Sequence, residues 1–501
     1  MSTEIELKLS LPADALQAVR THPALAAAEP AEDRRILDNT YYDTPDLDLR
    51  SERMALRIRH TGKRRLQTVK CAASSLGGLS SRPEWEQAYE NDRFDFSQID
   101  AEAVRERLES LRHALTPVFT TRFERETLRI RPREGASILV MFDNGSIEVE
   151  GGSAPLCELE LELETGEAAD LFALAIALAQ DLPLMPEDIS KAQRGYALFQ
   201  KQVAKPRRAA ASPVRHGMSA IDALRAIGFD TLAMWQYNEA HLSDGDGGEF
   251  LHQARVALRR LRSAFTLFSA VLPADAVAAW KPRLARLANA LGGARDADVV
   301  HHALLEPILA SGPVGEDMER LVAKVVQARE AARNGIDTTP IGSGRGTAML
   351  ELAAFLHALE APAHGESVES LARQALLSTR RKARRALEAA EGGDVAELHR
   401  LRIVLKRLRY GLEFFAPLWP ENAVAAYSKP LSALQEDLGD INDAAMGNRL
   451  LAELAAEDPG LTAARAFTAG WHAQRVAQLR QRAVQRAREL LWAAPPWKKT
   501  K

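Results

Sequence analysis

Two stretches of this chain alternate charged with apolar side chains, TEIELKLSL over residues 3–11 and CELELELET over residues 157–165. Successive side chains on a strand point to opposite faces, so a strict alternation of this kind specifies a strand with one packed face and one charged face. The first stretch gathers Glu4, Glu6 and Lys8 on one face and Ile5, Leu7 and Leu9 on the other. The second lines up Glu158, Glu160, Glu162 and Glu164. Four carboxylates in register resist joint burial unless cations neutralise them. Bases also fall on predicted strands: Arg57 and Arg59 alternate in ALRIR, with Lys70, Arg82, Arg122 and Arg125 elsewhere. A closed antiparallel barrel would turn all these faces inward, with acids on one wall of a polar lumen and bases on the opposite one.

Such a lumen has a chemical use. Carboxylates hold Mg²⁺ or Mn²⁺ through oxygen, the metal bridges phosphate oxygens, and Arg and Lys neutralise the charge as a terminal phosphoryl group leaves. No glycine-rich phosphate loop, Ser-His-Asp order or cysteine-rich zinc spacing competes with this reading.

The 501 residues are enough for several cores, and the two halves differ. Residues 1–203 carry a net charge of −10 and the remainder +7. Strand patterns dominate the first half, which predicts an α+β class with antiparallel pairing. LFALAIALA from Leu171 reads as a buried helix. Residues 204–213 form a Pro- and Ala-containing basic linker, and residues 214–501 read as all helical. Only Cys71 and Cys157 are present, no leader pattern precedes the first strand, and no apolar run approaches the ~20 residues of a membrane span. The expected location is cytoplasmic.

The helical half repeats itself. HQARVALRRLRSAFTLFSAVLP from His252 aligns without a gap on HRLRIVLKRLRYGLEFFAPLWP from His399, with 8 of 22 positions identical at an offset of 147. The same offset carries Leu291-Gly292 onto Leu438-Gly439 and Asp296 onto Asp443. This predicts two homologous helical bundles related by a pseudo-twofold axis. His252, Arg255, Arg259 and Arg262 fall within one arc of about 80° on a helix of 100° per residue. His399, Arg402, Lys406 and Arg409 do the same in the second repeat. No carboxylate is interleaved, so a ligand anion such as a long phosphate chain, or acids from other elements, must offset the repulsion.

These residues resemble known families. Glu4-Ile5-Glu6-Leu7-Lys8 is similar to the ExExK signature of the CYTH superfamily, the triphosphate tunnel enzymes. The likeness extends through YYDTPDLDL from Tyr41, ALRIR from Ala55, Lys70, RPEWE from Arg82, FDNG from Phe142, CELELEL from Cys157 and SKAQRGYALF from Ser190. The second half resembles a CHAD domain through its two histidine-led basic helices, and the combination resembles bacterial CYTH-CHAD inorganic triphosphatases. The resemblance implies an eight-stranded antiparallel tunnel that hydrolyses tripolyphosphate to pyrophosphate and phosphate with Mg²⁺ (or Mn²⁺). It implies Glu4, Glu6, Asp143, Glu158 and Glu160 as metal ligands, and Lys8, Arg57, Arg59, Lys70, Arg125 and Lys191 as phosphate holders. Lys8, Glu4 and Glu6 would be the catalytic set. In the CHAD half it implies polyphosphate binding by the two basic stripes and association with polyphosphate granules. Lys406 stands where Arg259 does, and Asn442 where Arg295 does.

Three other readings share these features. A thiamine triphosphatase or class IV adenylyl cyclase would use the same tunnel but needs apolar contacts at its mouth. A non-enzymatic polyphosphate-granule protein would need no ExExK. Nucleic-acid binding lacks aromatic platforms between the basic residues, so no nucleic acid or membrane partner is expected.

Overall fold

The computed structural model describes residues 2–62, 64–71, 75–244, 248–334, 344–362 and 365–498. The chain separates into two compact units, Met1–Lys205 with Thr339–Ala358, and Pro206–Thr338 with Leu359–Lys501.

The first unit is built on strands β1 (Ser2–Ser10), β2 (Glu29–Asp43), β3 (Met54–Thr61), β4 (Arg64–Cys71), β5 (Ser75–Leu76), β6 (Leu79–Ala88), β7 (Thr116–Ile130), β8 (Ser137–Val149), β9 (Gly152–Thr165) and β10 (Met185–Pro186). They are ordered β10-β1-β9-β8-β7-β2-β3-β4-β6-β5, and β1 also pairs with β6. The opening strand therefore has two neighbours: Ser2–Leu7 bonds to β6 and Glu6–Ser10 bonds to β9, both antiparallel. That double use closes eight strands into a barrel and leaves their backbone without a long free edge.

The alternation of β1 and β9 is resolved as expected. Leu7, Leu9, Leu159 and Leu161 point outward and are buried under the helix Ala168–Asp181, whose Leu171, Ala175 and Leu178 are buried with them. This is the predicted apolar helix, opened by a reciprocal cap between Glu167 and Asp170. On another wall, Leu56 and Val69 pack with Phe96, Ile99 and Leu108, the last from the helix Glu102–Leu111.

One end of the lumen is apolar. Leu37, Tyr41, Phe119, Phe123, Ile147 and Leu156 cluster there with Tyr196 of the helix Lys191–Phe199. Ser190 starts that helix by accepting from the Gln193 backbone while the Gln193 side chain returns to the Ser190 N–H. Gly195 lies flat on the Phe119 ring, where a Cβ would overlap three ring carbons. This close approach fixes how deeply the helix enters, and hence where Lys191 stands.

The helix Arg345–Ala358 comes from the second half of the sequence but belongs to the first unit. It packs on Ala168–Asp181 and on β10. Thr347 Oγ1 donates to the Ala179 carbonyl at 2.7 Å, and His357 Nε2 donates to the Leu76 carbonyl at 3.1 Å. Residues 214–501 are thus not one continuous body. Sequence periodicity cannot show this, because an amphipathic helix reads alike whichever core it covers.

The second unit carries the duplication in its geometry. The hairpin Ala220–Ala240 with Gly248–Leu267 is matched by Val368–Ala390 with Val395–Phe415, and the two repeat helices touch. Phe268 and Phe415, one offset of 147 apart, meet with ring centroids at 5.4 Å. Ser219 and Ser367, the caps of the two leading helices, form a bridge in which Ala220 N donates to Glu366 O at 2.9 Å and Val368 N donates to Met218 O at 3.1 Å. Equivalent positions that contact each other reciprocally lie about a twofold axis. Among the described residues no helix is long and apolar enough to cross a membrane.

Two glycine substitutions test this packing. Gly195→Ala should lower the stability of the barrel unit by about 1–3 kcal/mol through overpacking against Phe119. Gly439→Ala, where a Cβ meets nothing within 4 Å, should be neutral or stabilising. Denaturant unfolding of each variant reads the difference, and equal effects would contradict the placement of the helix.

Candidate functional site

Register places the charged positions of the barrel on one inner face. Across β7, β8, β9 and β1 the opposed pairs are Arg125 with Asp143, Asp143 with Glu158, Lys8 with Glu160, and Glu6 with Glu162. On the other wall Arg57 opposes Thr68, and Lys70 opposes Glu84. Glu6, Lys8, Arg57, Asp143, Glu158, Glu160 and Lys191 are all buried. A set of seven charged side chains survives burial only by mutual compensation.

The compensation has two centres. In the first, Lys191 Nζ lies 2.9 Å from Asp143, 2.6 Å from Glu158 and 2.8 Å from Glu160. Arg125 Nε donates to Asp143 at 2.6 Å and its Nη2 to Glu160 at 2.6 Å, while Arg194 donates to Glu158 at 2.8 Å. Burial alone would depress the Lys191 ammonium, but the three carboxylates outweigh it and raise its pKa. Burial would likewise raise Glu160, and Lys191, Arg125 and Lys8 instead hold it well below the ordinary carboxylate range. In the second centre Lys70 Nζ reaches Glu4 at 3.1 Å and Glu84 at 2.6 Å, with Arg57 at 3.8 Å from Glu84.

Between these centres the compensation is incomplete. The Glu162 carboxyl is pushed up to about 7 by burial and by Glu4, Glu6 and Glu160. The bases are crowded too: burial, Arg57 and Arg125 pull the Arg59 guanidinium down to about 10, although Asn39 Oδ1 accepts from its Nε at 2.9 Å. Lys8 Nζ donates to the Ile189 carbonyl at 3.1 Å, and Ser80 Oγ donates to Glu6 at 3.0 Å. One lumen thus crowds Glu162 with the acids Glu4, Glu6 and Glu160 and crowds Arg59 with the bases Arg57 and Arg125, although Arg57 and Arg59 each lie 3.8 Å from a carboxylate, Glu84 and Glu86, and Arg125 is paired with Asp143 and Glu160.

Two expected positions are elsewhere. Arg122 is exposed on the outer face, because Thr121, Phe123 and Arg125 take the inward parity of β7. Glu164 lies at the exposed end of the row of four glutamates, beside a register shift between Ser137 and Ile138 of β8; it accepts from Arg129 at 2.6 Å and from Ser137 at 2.7 Å, and is drawn down to about 2. The Arg82 side chain lies outside the described residues. Glu84 and Arg194 were not picked out from the sequence. Glu84 was accessible through its two-residue spacing within RPEWE, whereas Arg194 depends on the docking of its helix.

In the helical unit the stripes divide. Arg259, from the first repeat helix, acts together with Arg402 and Arg409 on Lys406, whose ammonium is lowered to about 6, first by burial and then by these three cations. Arg262 instead faces Arg407 and Lys281. Acids from other elements offset part of the repulsion: Asp443 beside Arg402 and Lys406, and Glu413 beside Arg409 at 3.5 Å. Arg255 donates to the carbonyls of Leu291 and Gly292 at 3.2 and 3.0 Å, and His399 Nδ1 lies 2.5 Å from Asn442 Oδ1. His252 and Arg409, one from each stripe, line a common cavity of about 560 Å³ with Arg260, Tyr410 and Glu413. Arg260, absent from both sequence stripes, is buried between the Tyr410 and Phe414 rings.

Comparison with known proteins bears on both units. An inorganic triphosphatase of Haemophilus influenzae is 34% identical over 204 residues, which are 40% of this chain and 56% of that protein. The chain therefore spans little more than half the length of this curated relative. The crystal structure of the CHAD domain from the plant Ricinus communis, 30% identical, aligns with a TM-score of 0.50 over 59% of this chain and 99% of that one. A putative adenylyl cyclase from Hippeastrum described as having a dominant triphosphatase activity is 22% identical, with a TM-score of 0.30 over 40% of this chain and 99% of that one. Residues 2–196 match the CYTH domain and residues 226–452 match the CHAD domain, so this chain carries a CYTH domain followed by a CHAD domain.

Proposed function

We propose that the barrel hydrolyses inorganic triphosphate to pyrophosphate and phosphate with the help of a divalent cation, and that the helical unit binds polyphosphate. The observation that carries the first reading is the concentration, within one closed lumen, of buried carboxylates and cations in which Glu162 is crowded by acids and Arg59 by bases. A triphosphate bridged by a cation matches both halves of that pattern. The likeness to a relative named inorganic triphosphatase supports the same reading.

The residues fit a hard cation. The acid-rich pocket offers carboxylate oxygen donors, the set preferred by Mg²⁺ and Mn²⁺. Glu4, Glu6 and Glu162 are candidate ligands because they lie together: burial and then Glu4, Glu6 and Glu160 push the Glu162 carboxyl up, while Glu4 also meets Lys70 at 3.1 Å and Glu6 accepts from Ser80. The resemblance names Glu4, Glu6, Asp143, Glu158 and Glu160 as ligands and not Glu162; Asp143, Glu158 and Glu160 are engaged by Lys191, Arg125 and Arg194 in this structure. A cation held by these carboxylates would supply charge neutralisation for the phosphates and the leaving group. The chain's own groups do the rest. Arg57, Arg59, Lys70 and Lys8 hold phosphate oxygens, and Lys191 keeps the inner carboxylates from repelling the substrate. The closed wall and the apolar end limit water around the phosphates.

The second reading rests on Lys406. Burial lowers this lysine to about 6, and Arg402, Arg259 and Arg409 add to the effect, so cations of both repeats converge on one place where a phosphate chain would supply the offsetting charge.

Phosphate release from tripolyphosphate, ATP and thiamine triphosphate tests the first proposal. Tripolyphosphate should be the fastest substrate, chelation should abolish turnover, and Mg²⁺ or Mn²⁺ should restore it. Glu4→Gln and Lys8→Ala should each lower kcat/KM by on the order of 10²; a Glu4→Gln protein at full rate would remove the metal assignment, and faster turnover of ATP or the thiamine ester would remove the substrate assignment.

Lys191→Met should cost about 3–5 kcal/mol at pH 7, because it strands buried carboxylates. The sign with pH follows from Glu160: a carboxylate held low in the fold contributes stability above its unfolded pKa, which is lost as pH falls through the folded value. The gap between wild type and variant should therefore be widest near neutral pH and narrow in acid, as read by thermal unfolding from pH 3 to pH 8. A gap independent of pH would contradict the ion cluster.

For the helical unit, substituting His252, Arg255, His399 and Arg402 together by Ala should abolish polyphosphate retention and spare triphosphate turnover. Retention at moderate salt would count against the stripes. Binding should also draw a proton onto Lys406 at pH 7, since an anion favours the charged form of a lysine whose pKa starts near 6. Calorimetry in buffers of different ionisation enthalpy measures that uptake, and Lys406→Met should remove it.

A further inference from the structure

The helix Gly292–Val299 runs into Val300–Leu305, which is wound with π-type bonding, and on into Glu306–Leu309. The local cause is Pro307, which has no N–H to offer and whose ring collides with the carbonyl four residues back, so the turn before it widens. The widening has a chemical consequence. Bonding from residue i to residue i+5 brings Glu306 back over His301 while it remains four residues from His302. The Glu306 carboxylate lies 2.7 Å from His302 Nδ1 and 3.5 Å from His301 Nδ1, and the two imidazoles meet nearly perpendicular with centroids at 4.9 Å.

One donor atom from each of His301, His302 and Glu306 lies within 4.8 Å of the others. On an ordinary α-helix adjacent residues diverge by about 100°, and only His302 would pair with Glu306. That simple pair leaves His301 unexplained. Its Nδ1 is shut off from solvent, makes no hydrogen bond and points to the same carboxylate. The ring is 19% exposed, while His302 and Glu306 are each 49% exposed, so the cluster opens toward water on the side of His302 and Glu306. Asp298, buried behind the cluster, adds negative potential, and the Arg329 that faces it is ion-paired to that aspartate.

We propose that His301, His302 and Glu306 form a binding site for a borderline divalent transition metal ion of the Zn²⁺ or Ni²⁺ class. Two imidazole nitrogens and one carboxylate suit such ions and leave at least one position for water or another oxygen ligand. They disfavour Mg²⁺, which keeps to oxygen donors. The site is therefore chemically distinct from the all-oxygen pocket in the barrel. It is also independent of the duplicated basic stripes. The offset of 147 carries these residues onto Asn448, Arg449 and Glu453, so the second repeat has no counterpart.

Titration of the full-length, chelator-treated protein with Co²⁺ tests this site. Excess Mg²⁺ is kept present to fill oxygen-donor sites. One equivalent of Co²⁺ should bind with visible ligand-field absorption and should be displaced by Zn²⁺. The paired change His301→Gln with His302→Gln, and separately Glu306→Gln, should weaken that binding by about tenfold or more, with the helical circular dichroism and the Mg²⁺-supported phosphate release unchanged. Replacing Cys71 and Cys157 by Ser should leave the absorption intact. The assignment is overturned if the wild-type protein takes up no Co²⁺ under these conditions, if the histidine and glutamate variants titrate like the wild type, or if the cysteine variant loses the signal.

Discussion

The barrel depends on the cancellation of charge around Lys191. Asp143 and Glu158 are fully buried and Glu160 nearly so, and the Lys191 ammonium stands within 2.9 Å of all three. That ammonium comes from the helix that closes the apolar end of the lumen. One element thus seals the barrel and neutralises its acidic wall. The close fit of Gly195 on Phe119 sets the depth at which both occur.

Closure is the second requirement. In a flat sheet the charged face of β1 would be solvated and of no special consequence. Pairing β1 with β9 along one part of its length and with β6 along the other brings Glu4 and Glu6 within the influence of Glu162, and Lys70 against Glu4. The crowding that raises one carboxyl and lowers one guanidinium arises from this enclosure, which removes the water that would otherwise screen like charges. The helical unit uses a milder version. Its cations converge from helices of both repeats, but Asp443 and Glu413 remain near, and Glu413 lines the cavity between His252 and Arg409.

Much of this was legible in the residues. Period-two alternation marked the strands and their charged faces, and the offset of 147 marked the duplicated helices that meet at Phe268 and Phe415. The readings that went astray did so for local geometric reasons. Arg122 and Arg125 lie on one strand, three residues apart and so on opposite faces; the pattern alone admitted both, and the register with Asp143 admits one. Glu164 continues the alternation in sequence, but at the exposed end of the strand Arg129 holds it. The stripe from His252 to Arg262 occupies one arc of its helix, yet neighbouring helices divide that arc between two groups of cations.

The sequence by itself determined which faces are charged, that the first half is a sheet and the second helical, and that the helical half is a duplication. These follow from side-chain periodicity and self-similarity, which are properties of the chain. Tertiary structure decided which charges meet. It took Lys191 to three carboxylates, separated Glu162 from Glu164, assigned the helix Arg345–Ala358 to the barrel unit, and folded Glu306 back between two histidines. The physical reason is that a charge takes its character from neighbours distant in sequence, and a periodic pattern specifies a direction without specifying what lies there.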